Sequence, residues 1–114
     1  MAFSKKNEFA EDLQELSDYC KALSHPARLS ILVELSKNGK STCGEIVLLL
    51  PLAQATVSQH LKELVESGLV QVKAHGVAMV YGISKKTLSQ KNQALFDLVS
   101  KLATKSKKSK RSKS

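Results

Sequence analysis

Apolar residues in the first part of the chain recur every three or four positions, which is the spacing of one face of a helix. This spacing predicts an amphipathic helix over roughly residues 7–23. Pro26 suits the first turn of a second helix, because a backbone N–H has no helical partner there. Asn38-Gly39 ends that helix. Its apolar side chains crowd more than one face, so we expect it to be buried.

A short third helix and a fourth helix are predicted next. Thr42 and Glu45 have the spacing of a capping box, in which each side chain accepts a hydrogen bond from the other residue's backbone. Pro51 ends the third helix. The fourth helix has a single apolar stripe and is closed by Ser67-Gly68. The stripe consists of Val57, Leu61, Leu64 and Val65.

The period of the pattern then changes from 3.6 to 2 residues, which is typical of strands. Two segments rich in strand-forming residues, roughly 69–74 and 77–83, predict a β-hairpin with His75-Gly76 as its turn. Helical spacing returns over residues 85–103. The predicted fold is therefore mainly α, with four helices, a β-hairpin and a last helix.

Polar residues on the remaining sides of the fourth helix suit the edges of DNA bases, because Gln pairs with adenine and Lys with guanine or phosphate. A helix-turn-helix motif reads bases with the N-terminal part of its second helix, and a following hairpin would form the wing of a winged version. The alternative is an ordinary helix pair with a solvated polar face. The candidate DNA contacts on this helix are Gln54, Thr56, Ser58, Gln59 and Lys62.

Length and charge narrow the class of protein. The 114 residues fit one domain, and the net charge of +8 favours a polyanionic partner. We expect a domain over residues 1–104 and a disordered tail over 105–114. The tail contains six Lys/Arg and no Asp or Glu. The tail either attracts DNA without sequence preference or only increases solubility.

No apolar run is long enough to span a membrane, and charges follow the first residues at once. We therefore expect a cytoplasmic protein without a membrane partner. Two cysteines are too few for a disulfide framework or an all-cysteine zinc site.

Three stretches in the order Ala22–Leu32, Thr56–Leu64 and Glu66–Val70 resemble the second helix, the recognition helix and the start of the wing in the ArsR/SmtB family of bacterial repressors. The resemblance covers roughly residues 15–84. It implies a winged helix-turn-helix homodimer that is held together by the first and last helices. It also implies binding to a pseudo-palindromic operator in double-stranded DNA, and repression until an effector binds.

The chain departs from the metal sites of that family. Where many members carry a Cys-x-Cys pair, only Cys43 is present, and residues 85–104 contain Asp97 but no His. We therefore expect neither a metal nor another cofactor. Cys20 and Cys43 are either targets of a thiol-reactive or metalloid effector, or small apolar packing residues.

The remaining candidate contacts are histidines and one lysine. His60 lies at the edge of the apolar stripe, so it either supports the helix or reaches a phosphate. Lys73 and His75 belong to the predicted wing and are candidate DNA contacts. His25 is expected to cap or pack against the second helix rather than to bind a ligand.

Arg28 has two interpretations. It either contacts the DNA backbone or forms an ion pair, and we favour an ion pair with Glu34 or Asp18.

Three functions compete at this point. They are a sequence-specific dimeric repressor, a non-specific DNA-structuring protein that depends on the tail, and a small thiol-dependent enzyme. The sequence has no Gly-rich phosphate loop, no Cys-x-x-Cys and no nucleophile–base pair, so we expect no enzyme.

Overall fold

The computed structural model describes residues 8–104. Their order of helices and hairpin confirms the predicted fold, with one short strand added. The elements are α1 (Glu11–Ala22), α2 (Pro26–Asn38), β1 (Ser41–Thr42), α3 (Cys43–Leu49), α4 (Gln54–Glu66), β2 (Val70–His75), β3 (Ala78–Ile83) and α5 (Lys85–Ala103). The predicted tail over 105–114 lies outside the described residues. None of the helices in 8–104 is both long and apolar enough to cross a membrane.

The core is formed where α2, α3 and α4 meet the start of the hairpin. Three residues of the predicted stripe, Val57, Leu61 and Leu64, are fully buried there. Around them lie Ile31, Leu35, Ile46, Leu69 and Val70. Because one side of α4 is fixed in this core, its opposite side is turned outward.

The wing is part of a three-stranded antiparallel sheet in the order β1–β3–β2. β1 pairs with β3 through Ser41 and Tyr81. The sequence did not predict β1, because two residues are too few to show a period of two.

The hairpin turn is displaced by one residue from its predicted position. His75 pairs with Ala78, so the loop is Gly76-Val77 rather than His75-Gly76. Gly76 has a φ of 66°, which a type II′ turn requires at its first central position and which glycine adopts without strain. Val77 is therefore an exposed tip residue and not part of a strand.

The ends of the helices follow local chemistry. Both bonds of the capping box are present: Thr42 N–H donates to Glu45 Oε1 at 2.9 Å, and Glu45 N–H donates to Thr42 Oγ1 at 3.1 Å. The predicted start of α1 at residue 7 is wrong, because the helix begins at Glu11. The acidic residues in this first turn stabilise the helix, because their negative charges lie at the positive end of the helix dipole.

The prediction that α2 is buried on several faces is wrong. Ala27, Ile31 and Leu35 are buried, whereas Leu29 and Val33 are about half exposed. A chain of this size has too few elements to cover every side of α2.

Candidate nucleic-acid interface

α4 presents a polar surface beside the hairpin. All five predicted contacts, Gln54, Thr56, Ser58, Gln59 and Lys62, are exposed. We call these five residues the polar face of α4. Within it, Gln59 and Lys62 lie on the side of the helix opposite the core. Their positions in the 3.6-residue helical repeat fall opposite those of the buried Val57, Leu61 and Leu64. The sequence therefore predicted the orientation of this helix correctly.

The first turn of α4 has no side-chain cap. Ala53 is the N-cap residue, and its side chain cannot accept a hydrogen bond from the N–H groups of the first turn. These N–H groups and the positive end of the helix dipole can receive an anion such as a phosphate.

The side chain of Gln59 makes one hydrogen bond within α4 and keeps other hydrogen-bonding groups free. Its Nε2 donates to Glu63 Oε2 at 3.3 Å, one turn further along α4. A glutamine amide has two N–H donors and a carbonyl acceptor. One donor and the acceptor therefore remain for an adenine edge, which needs one of each.

The carboxylate of Glu63 is held in its charged form. The hydrogen bond from Gln59 is the first cause that lowers the Glu63 pKa, and hydrogen bonding to His60 and the charge of Arg28 act in the same direction. The ionised carboxylate of Glu63 accepts the hydrogen bond from the Gln59 amide.

Arg28 joins α1, α2 and α4. Its Nη1 lies 2.6 Å from Glu63 Oε1, while Nε donates to the Ala22 carbonyl at 2.7 Å and Nη2 to the Lys21 carbonyl at 2.9 Å. The predicted ion pair exists, but the predicted partners Glu34 and Asp18 are wrong. Sequence reasoning missed Glu63 because the pair spans 35 positions and follows no helical spacing.

His60 lies on the inner side of this network. Its side chain is 11% exposed, and its Nδ1 lies 3.2 Å from Arg28 Nη1 and 3.3 Å from Glu63 Oε1. Its ring centroid is 4.6 Å from that of His25. Of its two predicted roles, this position fits support of the helix. His25 caps α2, because its Nδ1 accepts from Ala27 N–H at 3.0 Å.

The wing carries the other predicted contacts. Lys73 and His75 are exposed residues of β2. They lie on a different element from the polar face of α4.

The two thiols lie in different surroundings. Cys20 is exposed on α1, whereas Cys43 is half-buried at the start of α3. Burial raises the pKa of the Cys43 thiol, which lowers its thiolate fraction and its reactivity at neutral pH. Within residues 8–104, no group of three or more His, Cys, Asp or Glu residues is placed to hold a metal ion.

The fold and this surface define a helix-turn-helix protein of the DNA-binding class. A family model described as a helix-turn-helix domain matches residues 23–73. The chain is 35% identical to the arsenical resistance operon repressor of Staphylococcus xylosus over 72% of this chain and 78% of that protein. It is 31% identical to the biofilm growth-associated repressor of Xylella fastidiosa over 74% and 73% of the two chains.

A solved structure supports the same fold. An ArsR-like transcriptional regulator from Rhodococcus sp. RHA1 superposes with a TM-score of 0.74 at 24% identity, over 82% of this chain and 87% of that one. The chain belongs to the ArsR family of winged helix-turn-helix transcriptional repressors. It is a DNA-binding regulator of transcription.

Proposed function

We propose that the protein acts as a homodimer that reads a pseudo-palindromic operator with the polar face of α4. The observation that carries this proposal is an exposed, largely uncharged hydrogen-bonding surface on the helix that a helix-turn-helix motif places in the major groove. In this arrangement Gln54, Thr56, Ser58 and Gln59 contact base edges. Lys62 contacts guanine or phosphate.

Phosphate contacts come from two places, the start of α4 and the wing. The uncapped N–H groups at the start of α4 face the backbone next to the groove. Lys73 and His75 on the wing reach the adjacent backbone. These contacts position the protein, while the base contacts of α4 supply sequence preference.

The exposed apolar residues of the first and last helices support a dimer. No residue of α5 is buried, although the helix is 19 residues long and amphipathic. α5 contacts α1 through Lys91 and Glu15 at 3.5 Å, and α1 also carries an exposed apolar side chain, Leu13. The α1/α5 apolar surface consists of Phe9, which lies just before α1, together with Leu13, Phe96, Val99 and Leu102. A second copy of this surface is its self-complementary partner in a two-fold dimer.

Several smaller assignments follow from this proposal. The protein binds DNA in the cytoplasm and is not an enzyme, and residues 1–104 form its one domain. That a thiol-reactive or metalloid effector acts at Cys20 or Cys43 stays a prediction. Exposure favours Cys20 for this role, and the raised pKa of Cys43 counts against the second thiol.

Replacing Gln59 with alanine tests the reading role of α4. The variant is expected to lose preference at one base position of a bound sequence, by ~1–3 kcal/mol, because the adenine edge loses its bidentate partner. Competition binding against duplexes changed at single positions measures this loss. Gln93→Ala is the control, since Gln93 makes the same i, i+4 bond to Asp97 on α5 (2.9 Å). An equal loss on bound and random DNA would contradict the assignment.

Removing residues 105–114 distinguishes a sequence-specific repressor from a non-specific DNA-structuring protein that depends on the tail. Affinity for all DNA is expected to fall, and its dependence on salt is expected to weaken. The slope of log affinity against log salt concentration should decrease by about 0.9 for each tail cation that contacts a phosphate. Sequence preference is expected to persist. A full-length variant with serine in place of the six tail cations controls for length. If preference disappears with the tail, the tail-driven alternative is correct.

A further inference from the structure

A cavity of about 510 Å³ lies between the end of α2, the hairpin and the first turn of α5. Its volume is in the range of small-molecule sites, roughly 300–1,000 Å³. None of its lining residues belongs to α4, so it is separate from the polar face of α4. We call it the α2–wing cavity.

Part of the wall of this cavity is apolar. Leu35 from α2, Val80 and Ile83 from β3, and Leu88 from α5 contribute to it. The stem of Lys40 passes beside Gly82, where a β-carbon would make ordinary van der Waals contact with Lys40 Cγ at 3.4 Å.

The charged residues that line the cavity are all lysines, namely Lys40, Lys73 and Lys85. No Asp or Glu of the described residues lines it. Lys73 lies directly across from Val80 in the sheet, so the cation and the apolar side chain share one face. None of the three lysines forms an ion pair with a carboxylate in 8–104.

The first turn of α5 strengthens this positive potential. It contains Lys85 and Lys86 and no acid, although a helix N-terminus favours negative groups. Like-charged lysines at this end are electrostatically unfavourable for the free protein. An anion bound beside Lys85 would relieve that repulsion.

We propose that the α2–wing cavity binds a small organic anion with an apolar body, of the class of medium-chain carboxylates. The anionic group is met by Lys40 and Lys85, and the hydrocarbon part covers Val80, Ile83 and Leu88. A DNA phosphate would satisfy the lysines but has nothing to place against the apolar wall. The combination of both surfaces in one recess favours the amphipathic anion.

Calorimetric titration of the full-length protein with octanoate tests this site. Octanoate is expected to bind, whereas octanol, acetate and inorganic phosphate, which each lack one half of the required chemistry, bind more weakly. A Lys40→Gln, Lys85→Gln double variant is expected to bind octanoate at least about tenfold more weakly, because two charge-assisted contacts are lost. Lys86→Gln is the matched control, since Lys86 shares the turn with Lys85 but does not line the cavity.

Four results would overturn the proposal. They are no octanoate binding, equal binding of octanol, equal binding of acetate or phosphate, and equal weakening by Lys86→Gln. If octanoate fails to bind and the double variant lowers affinity for random duplex DNA, these lysines serve DNA phosphates instead. The titration contains no DNA, so its outcome is independent of whether α4 reads an operator.

Discussion

Replacing Arg28 with alanine is expected to lower the free energy of unfolding by ~2–4 kcal/mol. The side chain of Arg28 is 11% exposed. Its guanidinium donates hydrogen bonds to two backbone carbonyls at the end of α1 and to Glu63. Alanine leaves the Lys21 and Ala22 carbonyls without this donor and removes a cation from the negative end of the α1 dipole. Urea denaturation at one fixed protein concentration measures the change, with the m-value unchanged.

The backbone contacts of Arg28, rather than its ion pair, account for most of this effect. Glu63 is 41% exposed, so its pairing with Arg28 is screened by water. Arg28→Lys is therefore expected to lose much of the stability as well, because an ammonium cannot reproduce the planar fork. The control is Lys37→Ala, which breaks only the surface pair with Glu34 at 3.8 Å and is expected to cost under about 0.5 kcal/mol. An Arg28→Ala variant as stable as this control would contradict the account.

Replacing Phe96 with aspartate is expected to turn a dimer into a monomer at micromolar concentration. Phe96 is 63% exposed on α5 in the single chain, so the change leaves the core intact. In the proposed dimer it would bury an unpaired carboxylate and remove an aromatic contact, at a cost of about 3 kcal/mol or more. That corresponds to a dissociation constant raised more than about a hundredfold. Sedimentation equilibrium of both proteins measures it.

Val77→Asp is the matched control for the dimer. Val77 is a fully exposed apolar residue at the tip of the wing, away from the α1/α5 apolar surface. This variant is expected to remain dimeric. A Phe96→Asp protein that still forms dimers would place the interface on another surface.

The parts of the fold that depend on residues close together in the sequence were predictable from the sequence. The stripe of Val57, Leu61 and Leu64 fixed which side of α4 is buried, and Thr42 with Glu45 fixed the start of α3. The polar face of α4 follows from the same stripe, because the residues opposite a buried stripe are exposed. This is why all five candidate contact residues of α4 are exposed, as predicted.

Contacts between distant segments were not predictable from the sequence. The Arg28–Glu63 pair depends on how α2 crosses α4, and β1 exists because β3 passes beside it. The exposure of Leu29 and Val33 likewise depends on how many neighbours α2 has. His60 was ambiguous because a residue at the edge of a stripe is buried or exposed according to its partners.

Selection of bound duplexes from a random DNA library tests the central claim, that two copies of α4 read one two-fold site. The account predicts an enriched sequence with two inverted half-sites whose centres lie about one helical turn, ~34 Å, apart. It also predicts that the same selection with Phe96→Asp yields at most a single half-site. Recovery of no preferred sequence by the native protein, or of a single unrepeated one, would contradict the claim.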